Sequence, residues 1–90
     1  MPSWTVSISS SARKVVRRAP RSERERLSAE LDRIAVDPLG RDTVRLRGLP
    51  NAARRRVGDW RILFELDFDR RLVHVTHIAR RTTTTYRGCN

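Results

Sequence analysis

Arginine is the residue whose placement could do chemistry in this chain. Arg45 and Arg47 stand two apart, Arg54 and Arg56 stand two apart, and Arg61 follows just beyond Gly58-Asp59. In an extended strand, side chains two apart share a face. Each stretch therefore sends its guanidinium groups the same way. Guanidinium forks onto phosphate through two parallel hydrogen bonds and keeps its charge at any ordinary pH. Several such groups on one sheet face would suit a phosphodiester, with fixed cations where negative charge builds up on phosphorus. The same pattern also fits an ordinary solvated face with long side chains fanning outward, so the placement of each arginine decides the matter.

Other reactive residue types offer less. His74 and His77 are three apart in a stretch that reads as a strand, which would set them on opposite faces and keep them from sharing a metal. No Cys, His or carboxylate cluster has ligand spacing, so neither a metal nor a cofactor is expected. His77 reads first as a hydrogen-bonded structural histidine and second as an accessory acid or base near neutral pH. Asp67 and Asp69 flank a turn and fit turn chemistry. Cys89 is the only cysteine, so no internal disulfide can form. That suits a reducing, cytoplasmic setting.

The whole composition leans the same way as the arginines. The 90 residues are enough for one domain, 1–90, with a modest core. The net charge is +10 and the pI about 11.7. Residues 1–42 carry nine basic and six acidic side chains, while residues 43–90 carry eleven and four. Nineteen of the twenty basic residues are arginine, Lys14 being the exception. A polyanion is the natural partner for such a balance. An arginine-rich proteome would produce the same bias. No run approaches 18 apolar residues and no leader-like segment opens the chain, so no membrane association is expected.

Periodicity supplies the elements that would hold these side chains. Residues 4–8 alternate apolar and polar, as a half-buried strand does. Ser10 or Ser11 can cap a helix in which Ala12, Val15, Val16 and Ala19 form the apolar stripe, ended by Pro20. A second helix starts near Ser22, buries Leu27, Leu31, Ile34 and Ala35, and stops at Asp37-Pro38. The rest reads as strands: 43–47, closed by Gly48 and Pro50; 52–57; 60–67 after a Gly58-Asp59 hairpin turn; and 72–79. Residues 82–85, all threonine, read as a solvated loop. Two helices before four successive strands predict an α+β fold: a small antiparallel-rich β-sheet with an N-terminal αα-hairpin packed on one face. Trp60, Ile62, Phe64 and Leu66 would line the packed face and Arg61 the open one. With Val44 and Leu46 also inward, Arg45 and Arg47 would join Arg61. Arg54 and Arg56 share a face, whereas Arg55 and Val57 divide the other side less cleanly.

Order and spacing of these pieces resemble the RelE/ParE toxin superfamily. Arg45-Leu46-Arg47-Gly48-Leu49-Pro50 is similar to the strand ending in a K-L-R-G motif. Arg54-Arg55-Arg56-Val57-Gly58-Asp59-Trp60-Arg61-Ile62-Leu63-Phe64 is similar to the hairpin that follows it, with Trp60 where tyrosine is usual. Val73-His74-Val75-Thr76-His77-Ile78-Ala79-Arg80-Arg81, then Tyr86, is similar to the last strand, basic cluster and terminal tyrosine. With the helical hairpin, the likeness spans nearly the whole chain. It implies a RelE-like fold and the toxin of a type II toxin–antitoxin pair. That toxin would be a metal-independent endoribonuclease acting on mRNA in the ribosomal A site and restrained by a cognate acidic antitoxin. Residue by residue, it implies catalytic roles for Arg54, Arg56, Arg61, Arg81 and Tyr86, and RNA contacts for Arg45, Arg47 and Arg80, with Arg80 and Arg81 interchangeable at this stage. Tyr86 would orient or deprotonate the 2′-hydroxyl, or stack on a base; it follows Arg81 by five residues where the family often has four. Two other functions fit the resemblance: a ParE-like inhibitor of DNA gyrase, and an RNA-binding module that does not cut.

Overall fold

The computed structural model describes residues 3–80. Strand β1 (Thr5–Ile8) leads into α1 (Ser10–Arg18) and α2 (Arg21–Val36), followed by β2 (Thr43–Leu46), β3 (Leu49–Val57), β4 (Trp60–Asp67) and β5 (Leu72–Arg80). The strands form one sheet in the order β1-β5-β4-β3-β2. Every neighbouring pair is antiparallel except β1 with β5, where the first strand lies parallel to the last. The fold is the expected α+β, with the αα-hairpin on one face.

Local chemistry explains the boundaries. Ser9, not Ser10 or Ser11, caps α1: its backbone is extended and its Oγ accepts the Ala12 amide at 3.2 Å. Pro20 lacks the amide that would continue α1 and occupies the N-cap position of α2, without a side-chain cap. The α2 stripe of Leu27, Leu31, Ile34 and Ala35 is buried as its spacing predicts. Leu27, Leu31 and Ile34 pack with Ala12 and Ala19 against Ala53, Val57, Trp60, Ile62, Phe64, Leu66, Val73, Val75 and Ile78 of the sheet. Leu27, Ile34 and Ile62 are fully buried, and each such side chain contributes about 1.5–3 kcal/mol. Between β3 and β4 the two-residue turn places Gly58 at φ +56°, in the region glycine adopts without steric cost.

Two strands depart from the periodicity. β3 begins at Leu49 and includes Pro50, so the predicted break between 47 and 52 shrinks to a tight turn around Gly48, whose φ is +78°. β5 contains a bulge: Leu63 pairs with His77 and Phe64 with Val75, leaving Thr76 as the extra residue. The Thr76 hydroxyl donates to the Leu63 carbonyl at 3.2 Å, and Ser9 Oγ donates to the Thr76 carbonyl at 2.8 Å. Ser9 thus caps a helix and fastens the bulge.

Candidate nucleic-acid interface

Register decides which arginines meet. Residues directly opposite across a strand pair share a face. Ala53 is opposite Phe64 and Arg55 opposite Ile62, so both belong to the helix side. On the open side, Arg54 stands opposite Leu63 and Arg56 opposite Arg61. Arg61 in turn is opposite Ala79, and Leu63 opposite His77. Arg54, Arg56 and Arg61 therefore form one group, near the β3–β4 turn and the end of β5. Arg54 and Arg61 are half-buried and Arg56 is exposed. Glu65 lies on the same face four residues along β4 from Arg61, roughly 13 Å at strand rise.

None of the ion pairs among the described residues involves these three arginines; Arg21, Arg33, Arg55, Arg70 and Arg80 take the carboxylates. Arg61 goes further, because its Nε is covered from solvent with no hydrogen-bond acceptor in reach. A buried donor left without a partner costs about 1–3 kcal/mol. In this rotamer a phosphate reaches only the terminal nitrogens, and engaging Nε requires the side chain to turn. Among the described residues the arrangement is a group of cations without carboxylate partners on one sheet face, able to hold a polyanionic backbone.

The remaining arginines lie elsewhere. Arg45 is opposite Ala53, hence on the helix side, with its guanidinium carbon 5.7 Å from the Phe68 ring centroid. Val44, expected inward, is on the open face and 54% exposed. The cause is Arg55, which is only 3% exposed. Its Nε donates to Thr43 Oγ1 at 2.7 Å, one terminal nitrogen to Glu30 Oε2 at 3.1 Å and the other to the Asp37 carbonyl at 2.7 Å. Serving Arg55 turns Thr43 inward, and alternation then carries Arg45 inward and Val44 outward. Arg47 lies in the β2–β3 turn, exposed and outside the group. Arg80, opposite Trp60, also faces the helices. Its guanidinium is 3.4 Å from Glu23 Oε1 and 5.7 Å from the Trp60 ring, while Trp60 Nε1 donates to the same Glu23 oxygen at 2.9 Å. Arg80 is thus a clamp between sheet and α2. Arg81 and Tyr86 fall outside the described residues.

Sequence reasoning missed two residues. Arg55 is read only as lying on the other side from Arg54 and Arg56, with no partner assigned, yet Glu30 gives a signal, sitting on α2 between the buried Leu27 and Leu31, where an inward carboxylate needs a cation. His77 was expected opposite in facing to His74. The Thr76 bulge returns both to the open face. His74 Nδ1 shares a 3.2 Å hydrogen bond with Ser7 Oγ, whereas His77 is exposed with no hydrogen bond among the described residues.

A cleft of about 620 Å³ lies on the opposite side of the sheet, lined by residues including Glu30, Asp32, Arg33, Asp37, Arg41 and Arg55. Within it Glu30 pairs with Arg33 and Arg55, and its lining includes none of the three grouped arginines.

A five-stranded sheet with a parallel edge pair, two helices on one face and arginines on the other defines a RelE-like fold. The solved structures it resembles include a RelE toxin and RelE–RelB complexes. The RelE–RelB complex from Pyrococcus horikoshii OT3 matches with TM-score 0.79 at 20% identity, over 89% of this chain and 97% of that one. The isolated E. coli RelE toxin gives 0.78 at 18% identity, over 97% and 95%. The RelBE2 toxin–antitoxin complex from Mycobacterium tuberculosis gives 0.62 at 24% identity, over 90% and 93%. No family model and no curated protein matches the chain.

Proposed function

We propose that this protein is the toxin of a type II toxin–antitoxin pair and cleaves mRNA in the ribosomal A site without a metal. The observation that carries this reading is the group of Arg54, Arg56 and Arg61, on one face and without carboxylate partners among the described residues. The fold supports it, since the solved structures it resembles are described as toxins and toxin–antitoxin complexes. RNA carries its own nucleophile. The 2′-oxygen attacks the adjacent phosphorus, the bond to the 5′-oxygen breaks, and a 2′,3′-cyclic phosphate and a 5′-hydroxyl result. Arg61 grips the scissile phosphate, while Arg54 and Arg56 hold the backbone and offset charge on the pentavalent phosphorus. Arg81 serves the leaving oxygen, and Tyr86 orients the 2′-hydroxyl or stacks on a base. Arg47 remains available to the RNA backbone. Arg45 and Arg80, turned to the helix side, take no part.

An acidic antitoxin would neutralise the same face and hold the protein inactive. Primer extension on an mRNA translated with purified protein tests the reading: discrete cuts within codons support it. Intact message with inhibited gyrase would instead select the ParE-like function, and RNA binding without cleavage the non-catalytic one.

A further inference from the structure

Cleavage through the 2′-oxygen needs a group that takes the 2′-proton, and no arginine does this readily, because guanidinium stays protonated throughout the working range. Among the described residues beside the arginine group, His77 alone carries an imidazole, the side-chain type most often used as a general base. Three observations set it there. The bulge at Thr76 turns His77 onto the open face, and bulges commonly re-aim a side chain beside an active site. Thr76 and Ser9 fasten that bulge through the two hydrogen bonds to the Leu63 and Thr76 carbonyls. Finally, Arg61 lies opposite Ala79, so His77 is its diagonal neighbour across β4 and β5, roughly 7–8 Å away. Ala79 fills little of the space between them.

We propose that His77 is the general base of the reaction, an inference that rests on the nuclease reading above. Its unprotonated ring nitrogen takes the 2′-hydroxyl proton as the bond from the 2′-oxygen to phosphorus forms. The bond to the 5′-oxygen breaks, that oxygen takes a proton from solvent, and the imidazolium returns its own to solvent. Atoms and charge balance without a further reagent. The groups facing His77 are Leu63 and Arg61 of β4, Arg54 of β3 beyond Leu63, and Glu65 and His74 further along the face.

The test is single-turnover cleavage on programmed ribosomes between pH 5.5 and 9, using wild type, His77→Gln and His77→Ala. General-base catalysis is typically worth about 10²–10⁴ in rate, so both variants should cut at least roughly 10²-fold more slowly. They should also lose the rise of rate with pH through the imidazole range, while ribosome affinity stays as in wild type. Added imidazole should restore His77→Ala in proportion to its free-base concentration. A His77→Gln protein that cleaves at the wild-type rate with the wild-type pH profile overturns the assignment and leaves the nuclease reading standing. Slow variants that keep the wild-type pH profile and do not respond to imidazole also overturn it, since a merely structural histidine behaves so. A wild type that cleaves no translated message defeats the nuclease reading, and this role with it.

Discussion

Arg56 and Arg61 stand directly opposite each other across β3 and β4, two cations on the open face with neither engaged by a carboxylate among the described residues. Like charges so placed destabilise a sheet by roughly 0.2–1 kcal/mol relative to a neutral pair. The unpartnered Arg61 Nε adds to that cost. The fold tolerates both because Ile62, Phe64 and Leu66 on the other side of β4 hold the strand in place. A surface that carries such a cost without structural return is what an anion-binding site requires.

Replacing Arg61 should therefore separate activity from stability. Arg61→Ala should lower cleavage by roughly 10²–10³, the usual loss on removing one oxyanion-stabilising group, while its melting temperature stays level or rises. Arg61→Lys keeps the charge but not the fork and should recover only part of the rate. Single-turnover cleavage and a thermal melt of each variant check this. An alanine variant that melts well below wild type would instead give Arg61 a structural role.

Arg55 should behave in the opposite way. It is 3% exposed and bonded to Thr43, Glu30 and the Asp37 carbonyl, so Arg55→Ala leaves an inward carboxylate without its buried cation. Breaking a buried pair from one side typically costs about 3–5 kcal/mol. Glu30 keeps its exposed partner Arg33 at 2.8 Å, which places the loss at the lower end. Chemical denaturation of Arg55→Ala and of Glu30→Gln should show both destabilised, with Arg55→Ala the worse.

These contrasts mark how far the sequence could be read. β4 was legible throughout, because Trp60, Ile62, Phe64 and Leu66 alternate with Arg61, Leu63, Glu65 and Asp67, three of them charged, and leave one possible facing. The αα-hairpin was legible for the same reason, through the stripe from Leu27 to Ala35. β2 was not, because its four residues carry too little apolar signal to outweigh what Arg55 demands of Thr43. Thus Arg54 and Arg56 share a face as their spacing predicts, and Arg61 lies on it too, while Arg45 was assigned to the wrong face. The bulge escaped too. His74-Val75-Thr76-His77-Ile78 carries no glycine to mark an extra residue, and its fastening comes from Ser9 and Leu63, distant in sequence.

The antitoxin should be recognised mainly by charge. A neighbouring acidic protein, co-expressed, should raise the soluble yield and abolish growth arrest, since a net charge of +10 on a small core favours a wrapping acidic partner. Co-purification and growth assays check this. A neighbour that neither binds nor rescues would argue against a toxin–antitoxin pair.

Salt dependence can distinguish the two faces of the sheet arginine by arginine. Each phosphate contact on a single strand contributes about 0.7 to the slope of log affinity against log salt. With Arg54, Arg56 and Arg61 on the backbone, a short unstructured RNA should bind with a slope of at least about 2 from these contacts alone. Arg56→Ala should lower the slope by about 0.7, because its exposed guanidinium has no competing partner. Arg45→Ala should leave it unchanged, because that side chain lies over Phe68 on the helix side. Fluorescence anisotropy from low to physiological salt measures all three proteins. Equal reductions in the two variants would place Arg45 on the RNA after all and undo the register-based division of the faces.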